Sequence, residues 1–273
     1  MIDLLHYQFF INALLAALLT SITCGITGTY IVARRMVFIG GGISHASFGG
    51  VGLGYFLGFD PILGAGVFSL IIAMLIEGLS ERRELRRDTL IGVMWSFGMA
   101  VGVIFVFLTP GYAANLMTYL FGNILTVSST DLMLLSVLLL ILILVFTVFF
   151  RDILAISFDQ EYAKTLGIPV LFINTLLLGL IALTIVFNIR VVGIILVISM
   201  LTIPQATANL FSKRFGTMIF LSVLFALFAS FAGLVLSNHL DIPSGATIVF
   251  CAILIFLLAL PLAALRRRRQ QPG

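Results

Sequence analysis

Apolar residues run along this chain in long stretches, broken by short clusters of charge, glycine and proline. A run of about 18 or more with few charges is long enough to cross the ~30 Å hydrocarbon core as a helix. Nine stretches fit: residues 10–33, 38–58, 62–80, 89–109, 131–150, 169–188, 191–211, 216–237 and 245–265. They predict an all-α, polytopic transmembrane helical bundle of about nine spans. The segment 110–130 (PGYAANLMTYLFGNILTVSST) is more mixed and reads as a partly ordered interfacial connection. The chain of 273 residues is 61% hydrophobic and only 10% charged, where soluble domains carry about 25% charge. Spans and short loops use nearly all of it, so 1–273 reads as a single transmembrane domain with no extramembrane domain of useful size.

The basic residues orient the bundle. Arg34, Arg35, Arg82, Arg83, Arg86, Arg87, Arg151, Lys164, Lys213, Arg214 and Arg266 to Arg269 all fall on one side if the N-terminus is outside and the C-terminus cytoplasmic. Only Arg190 falls on the other side, and a tenth span at 110–130 would move Arg151 and Lys164 outside. The basic tail 266–273 reads as a topology anchor and headgroup contact rather than a nucleic-acid site. Cys24 and Cys251 lie within apolar runs, which supports no disulfide framework. The first run follows Asp3 and His6 rather than a basic region, and no cleaved signal peptide is expected.

The second run contains GGGISHASFGGVGLGYFLG, residues 40–58, with eight glycines and one histidine. Counted by fours, Gly42, Ala46, Gly50, Gly54 and Gly58 form a small-residue row, and Gly41, His45 and Gly49 form a second. Small residues at this spacing let helix backbones approach closely in a membrane. That explains the glycines but not His45. An ionisable residue in a span faces the bundle interior or a wet cavity and marks a pathway. The other reading is a structural histidine bonded to a neighbouring helix, and the residues alone favour neither. Neutral imidazole is a good ligand for zinc, manganese or iron.

Further polar outliers follow. In SNHLDIPSGAT (237–247), His239 and Asp241 lie at the outer end of the eighth span, before a turn at Pro243 and Gly245. They form either a solvated loop or a cation inlet. Glu77, near the inner end of the third span, is expected to snorkel or pair with the arginines that follow it. Asp60 and Asp131 mark outer loops. In DQEYAKTLGIP (159–169), Asp159 looks like an N-cap and Gly167 and Pro169 end a short charged helix. That helix is either an inconsequential surface element or a docking helix for a cytoplasmic partner.

No GxxxxGK[ST], HExxH or GxSxG motif is present, and no paired acids lie within the spans. An intramembrane enzyme is disfavoured, and a channel or carrier remains. Six stretches then align in order: RRMVFIGGGISHASFGGVGLG (34–54), RRDTLIGVMWSFGMAVGVI (86–104), MTYLFGNILTVSSTDL (117–132), DQEYAKTLGI (159–168), VVGIILVISMLTIPQATA (191–208) and DIPSGATIVF (241–250). Together they resemble the membrane permease subunits of ATP-binding-cassette importers for zinc, manganese or iron(II).

The resemblance implies a permease homodimer in a prokaryotic plasma membrane, with the pathway at its interface. Two cytoplasmic ATP-binding subunits would drive it, and an extracytoplasmic metal-binding protein would deliver the cargo. No tightly bound cofactor is implied, because the metal is substrate and ATP belongs to the partner. The family's docking helix, D-x-E-x-A-x-x-x-G, falls here on Asp159, Glu161, Ala163 and Gly167. Its second span carries an aspartate one turn before the histidine, where this chain has Gly41. The site at His45 is therefore less negative, and Asp241, matching a family aspartate before P-x-G, is the substitute carboxylate. His45 lies roughly 10 Å above the inner end of its span at about 1.5 Å per residue, so His45 and Asp241 read as successive stations. His239 is a further candidate ligand. Zinc is the first choice of ion, because imidazole with few carboxylates leans that way. The rivals are a permease for a chelated metal or siderophore and a secondary transporter driven by an ion gradient.

Overall fold

In hydrocarbon an unpaired backbone N–H or C=O costs several kcal/mol, so each apolar run closes its hydrogen bonds within itself as a helix. A computed structural model of the protein describes residues 7–80, 86–110, 122 and 124–270. Its long helices are α1 (Gln8–Ala33), α2 (Val37–Leu57), α3 (Pro61–Ser80), α4 (Arg87–Leu108) and α5 (Ser129–Val148). Two short helices follow, α6 (Phe150–Phe158) and α7 (Gln160–Thr165). The chain continues through α8 (Val170–Val192), α9 (Ile194–Met200), α10 (Ile203–Phe211), α11 (Phe215–Leu240) and α12 (Ser244–Gln270). No strand occurs among the described residues.

Among the described residues eight stretches are long and apolar enough to cross a membrane, with Ile194–Phe211 counted as one. α2 has the length, but its seven glycines, two serines and one histidine dilute its apolarity. α1 runs through the bundle against α5 and α11, α3 packs on α8, and α2 lies between α3 and α4.

The run 191–211 reads as one span in the sequence and is not one helix. α8 continues to Val192 and stops at Gly193 (φ 81°, ψ 163°), a conformation essentially confined to glycine. The remainder breaks between α9 and α10. Pro204 has no N–H, and its ring clashes with the carbonyl of residue 200 in a continuous helix. The Met200 carbonyl so released accepts the side-chain amide of Gln205 at 2.9 Å. The same amide donates to the Cys24 carbonyl at 2.8 Å, tying the break to α1.

The bundle has two chemically different ends. At one, Arg34 on α1 donates to the Ile156 carbonyl at 2.6 Å and to Gln160 Oε1 at 2.7 Å. Glu77, fully buried, is paired with Arg87. It also accepts from Asn174 Nδ2 at 2.9 Å, while Tyr30 donates to Asn174 Oδ1 at 3.1 Å. A buried carboxylate needs a paired charge and satisfied lone pairs, and this network supplies both from α1, α4 and α8. Arg82 and Arg83 lie outside the described residues.

At the other end Asp131 does more than mark a loop. Ser128 and Asp131 form a capping box on α5, and Asp131 pairs with Arg190 at 2.6 Å. The lone basic residue on that side therefore has an acid partner. Of the 110–130 connection, 111–121 and 123 lie outside the described residues, and 124–126 form a single 3₁₀ turn.

Candidate functional site

The glycine rows of α2 set its surroundings. A Cβ at Gly50 would meet the Gly64 carbonyl and, at 2.7 Å, the Ala65 Cα, both backbone atoms of α3. A Cβ at Gly54 would meet the Pro61 Cα at 2.6 Å. Lower on the same row, Gly42 faces Ile91 on α4, and Ala46 lies against Gly98, whose added Cβ would meet the Ala46 Cα at 2.5 Å. Residues four apart advance about 40° beyond a full turn, so the row winds from α4 to α3 along the helix. α4 answers with its own pair, Gly98 and Gly102, the latter packed on Phe48 and Gly52. That reciprocal small-residue pair at i and i+4 stands in the sequence as G-M-A-V-G, residues 98–102.

His45 is half-buried on α2. Its ring stacks on Trp95 of α4, centroids 4.4 Å apart and planes 3° from parallel. Among the described residues its nitrogens have no hydrogen-bond partner. Trp95 also reaches one turn down: a Cβ at Gly41 would lie 3.8 Å from its ring, an ordinary van der Waals distance. Packing therefore does not force glycine at position 41.

Asp241 and His239 lie at the far end of α11, both exposed. Asp241 ends the helix in the left-handed conformation (φ 54°, ψ 45°), with its N–H bonded to the Ser237 carbonyl. Aspartate tolerates this conformation better than most residues, so Asp241 has a turn-making role in addition to any ligand role. α11 is not among the helices packed closely on α2, and the structure does not bring Asp241 or His239 to His45. Among the described residues no group of three or more His, Cys, Asp or Glu gathers as a metal site.

The short segment at the basic end is well defined. Asp159 caps α7 by accepting from the N–H groups of Glu161 and Tyr162, each at 3.0 Å. Ala163 is fully buried and Glu161 pairs with Lys164 at 3.3 Å. Gly167 (φ 75°) turns the chain toward α8. Around it Phe158, Tyr162 and Leu166 are 78%, 58% and 57% exposed. Large apolar side chains beside a charged helix at the water boundary are the composition of a protein contact. The Arg34 clamp on this segment joins residues more than a hundred positions apart, and nothing local in the sequence announced it.

Comparison with known proteins matches residues 6–263 to the ABC 3 transport family. The manganese transport system membrane protein MntC of Halalkalibacterium halodurans is 37% identical over 257 residues, covering 94% of this chain and 88% of that protein. The manganese import system permease protein ScaB of Streptococcus gordonii is 34% identical over 261 residues, covering 96% and 94%. Among solved structures, PsaBC from Streptococcus pneumoniae in complex with a Fab superposes with a TM-score of 0.83 at 37% identity, covering 94% of this chain and 93% of that one.

Proposed function

The chain belongs to the ABC 3 transport family, and on that footing we propose that it is the membrane-spanning permease of an ATP-driven importer, carrying a divalent transition metal ion into the cytoplasm. The observation that carries this reading is a family match spanning residues 6–263. The protein is a multi-pass component of a prokaryotic plasma membrane. As a permease subunit it leaves ATP hydrolysis to a cytoplasmic ATP-binding partner and cargo delivery to an extracytoplasmic binding protein.

Two permease copies and two ATP-binding subunits make the working unit in this reading. The state of α4 supports it. α4 packs chiefly on α2, while Val93, Phe97, Val103, Ile104 and Phe107 are exposed on its outer side. His45 is half-buried against Trp95, itself 38% exposed, and in this reading a second copy closes over that pair to make an enclosed corridor. The cation enters near Asp241 and His239, passes His45 between thin backbones, and leaves at the basic end. Closure of the ATP-binding subunits pushes segment 159–167 and alternates access. A shell of one or two protein ligands suits passage, because binding must be weak enough to release.

Manganese(II) takes precedence over zinc as the cargo. The zinc argument rests on the donor chemistry of one imidazole, whereas the two relatives described above are named for manganese and align along nearly the whole chain. The test is uptake into vesicles holding the permease and its ATP-binding partner, with manganese, zinc and iron(II) compared under ATP. ATP-dependent manganese accumulation exceeding that of the other two is the expected result. Accumulation without the ATP-binding partner would overturn the reading in favour of a gradient-driven carrier.

A further inference from the structure

At the basic end, on the side away from α2, the last turn of α10, the start of α11 and the end of α12 enclose a groove of about 490 Å³. Its polar lining, the rim, is Arg214, Arg266, Ser212 and Thr217. Its apolar lining, the floor, is Phe211, Leu221 and Phe225. Among the described residues the lining holds two cations and no acid. We propose that this groove is a binding site for one anionic phospholipid per permease chain, with the phosphate between Arg214 and Arg266 and an acyl chain along the aromatic floor.

The distribution of the lining along α11 selects the occupant. Arg214 is the N-cap residue of α11, and Phe225 lies roughly 17 Å further along the helix axis at about 1.5 Å per residue. The charged and hydroxyl groups thus occupy one end of the groove, and the apolar wall continues from there into the depth of the membrane. A free phosphate would use only the rim. A lipid uses both, because its charge sits at headgroup depth and its tail runs along the membrane normal. The floor is built for contact with a chain: Phe211 and Phe225 have ring centroids 6.0 Å apart at 32°. Paired guanidinium groups suit a phosphate because their forked donors match its oxygens. Basic pockets between membrane helices on the cytoplasmic side bind anionic headgroups in this way. Thr217 lies in the first turn of α11, which has no side-chain cap, so the positive end of that helix adds to the same field.

The site is independent of the pathway. Its α11 residues lie at the start and first half of that helix, away from Asp241 and His239 at the end of it, and His45 and Trp95 lie on α2 and α4. Its test therefore separates from that of the transport reading.

The experiment is native mass spectrometry of the intact complex of permease and ATP-binding partner. The complex is taken from vesicles of phosphatidylcholine with about one fifth phosphatidylglycerol, a composition of the order of natural anionic content. The expected result is one retained phosphatidylglycerol per permease chain, with occupancy falling at least about fivefold in R214Q/R266Q and recovering in R214K/R266K. R266Q alone, a change at an exposed position, serves if the double variant does not assemble. Equal retention of the two lipids, or unchanged phosphatidylglycerol in the glutamine variants, overturns the proposal. Displacement of the lipid by soluble glycerol phosphate at millimolar concentration would assign the groove to a headgroup anion alone. Crosslinking of position 214 or 266 to the ATP-binding subunit or to a second permease copy would assign it to a protein contact.

Discussion

α2 and α5 are helices of nearly equal length, 21 and 20 residues, solving opposite problems. α5 is dominated by leucine, isoleucine and valine, and much of its surface is left to lipid, with Leu140 67% and Leu144 61% exposed. It holds its place with one buried row, Asp131, Leu135, Leu138, Leu142 and Phe146. α2 gives up apolar bulk for glycine and is enclosed by protein on most of its surface. Lipid tails are as apolar as leucine, so apolarity alone does not draw one helix to another; close packing does. The helix that looks least suited to a membrane is therefore the one most committed to its neighbours, and it carries the imidazole.

The largest expected effect comes from filling the α2 seam. Gly50→Val drives a side chain into the α3 backbone at Gly64 and Ala65, where neither wall can swing aside. A loss of about 3 kcal/mol or more is expected, the upper end of overpacking costs. It should appear as absence of assembled permease in fluorescence-detected size exclusion. Normal yield would mean that α2 is not held by close backbone approach.

His45→Ala should leave assembly intact and lower ATP-driven manganese uptake by about tenfold, equivalent to about 1.4 kcal/mol at the limiting step. Because Trp95 is the chain's single tryptophan and stacks on this ring, manganese should quench permease tryptophan emission in the wild type and markedly less in the variant. Unchanged uptake would make His45 a packing residue and reduce α2 to a seam.

Gly41→Asp should be accommodated, since a Cβ there meets only the edge of Trp95 at 3.8 Å. It would add a carboxylate one helical turn from His45. The expected outcome is tighter metal retention, a shift of a few-fold in half-saturation of uptake, with unchanged yield. Collapse of the yield would show that glycine at 41 serves packing after all.

The smallest effect belongs to the contrast helix. Leu140→Ala removes lipid-facing atoms only and should change stability by less than about 0.5 kcal/mol, read as an unchanged melting temperature in detergent.

The spans were legible because apolar run length is a direct physical requirement of the hydrocarbon layer. Glu77, expected to snorkel or pair with the arginines that follow it, meets Arg87. What local pattern could not reveal was long-range pairing: Asn174 completing the Glu77 shell, Trp95 over His45, Asp131 holding Arg190. Each joins residues distant in sequence, and a side chain's own neighbours carry no trace of its partner. The break at Leu201–Thr202 had a local sign in Pro204. Apolar run length outweighed it, because hydropathy does not register a missing N–H.

The Arg34 clamp has a mechanical consequence. With one nitrogen on the Ile156 carbonyl and another on Gln160, the guanidinium grips the end of α6 and the start of α7 at two points, so the pair cannot pivot about a single bond. Any torque delivered to α7 is handed at once to the tip of α1, a 26-residue rod through the middle of the bundle. Under the proposed reading, in which an ATP-binding subunit pushes on α7, this grip is where the push reaches α1, and Arg34→Ala should lower transport per ATP hydrolysed while every span stays in place.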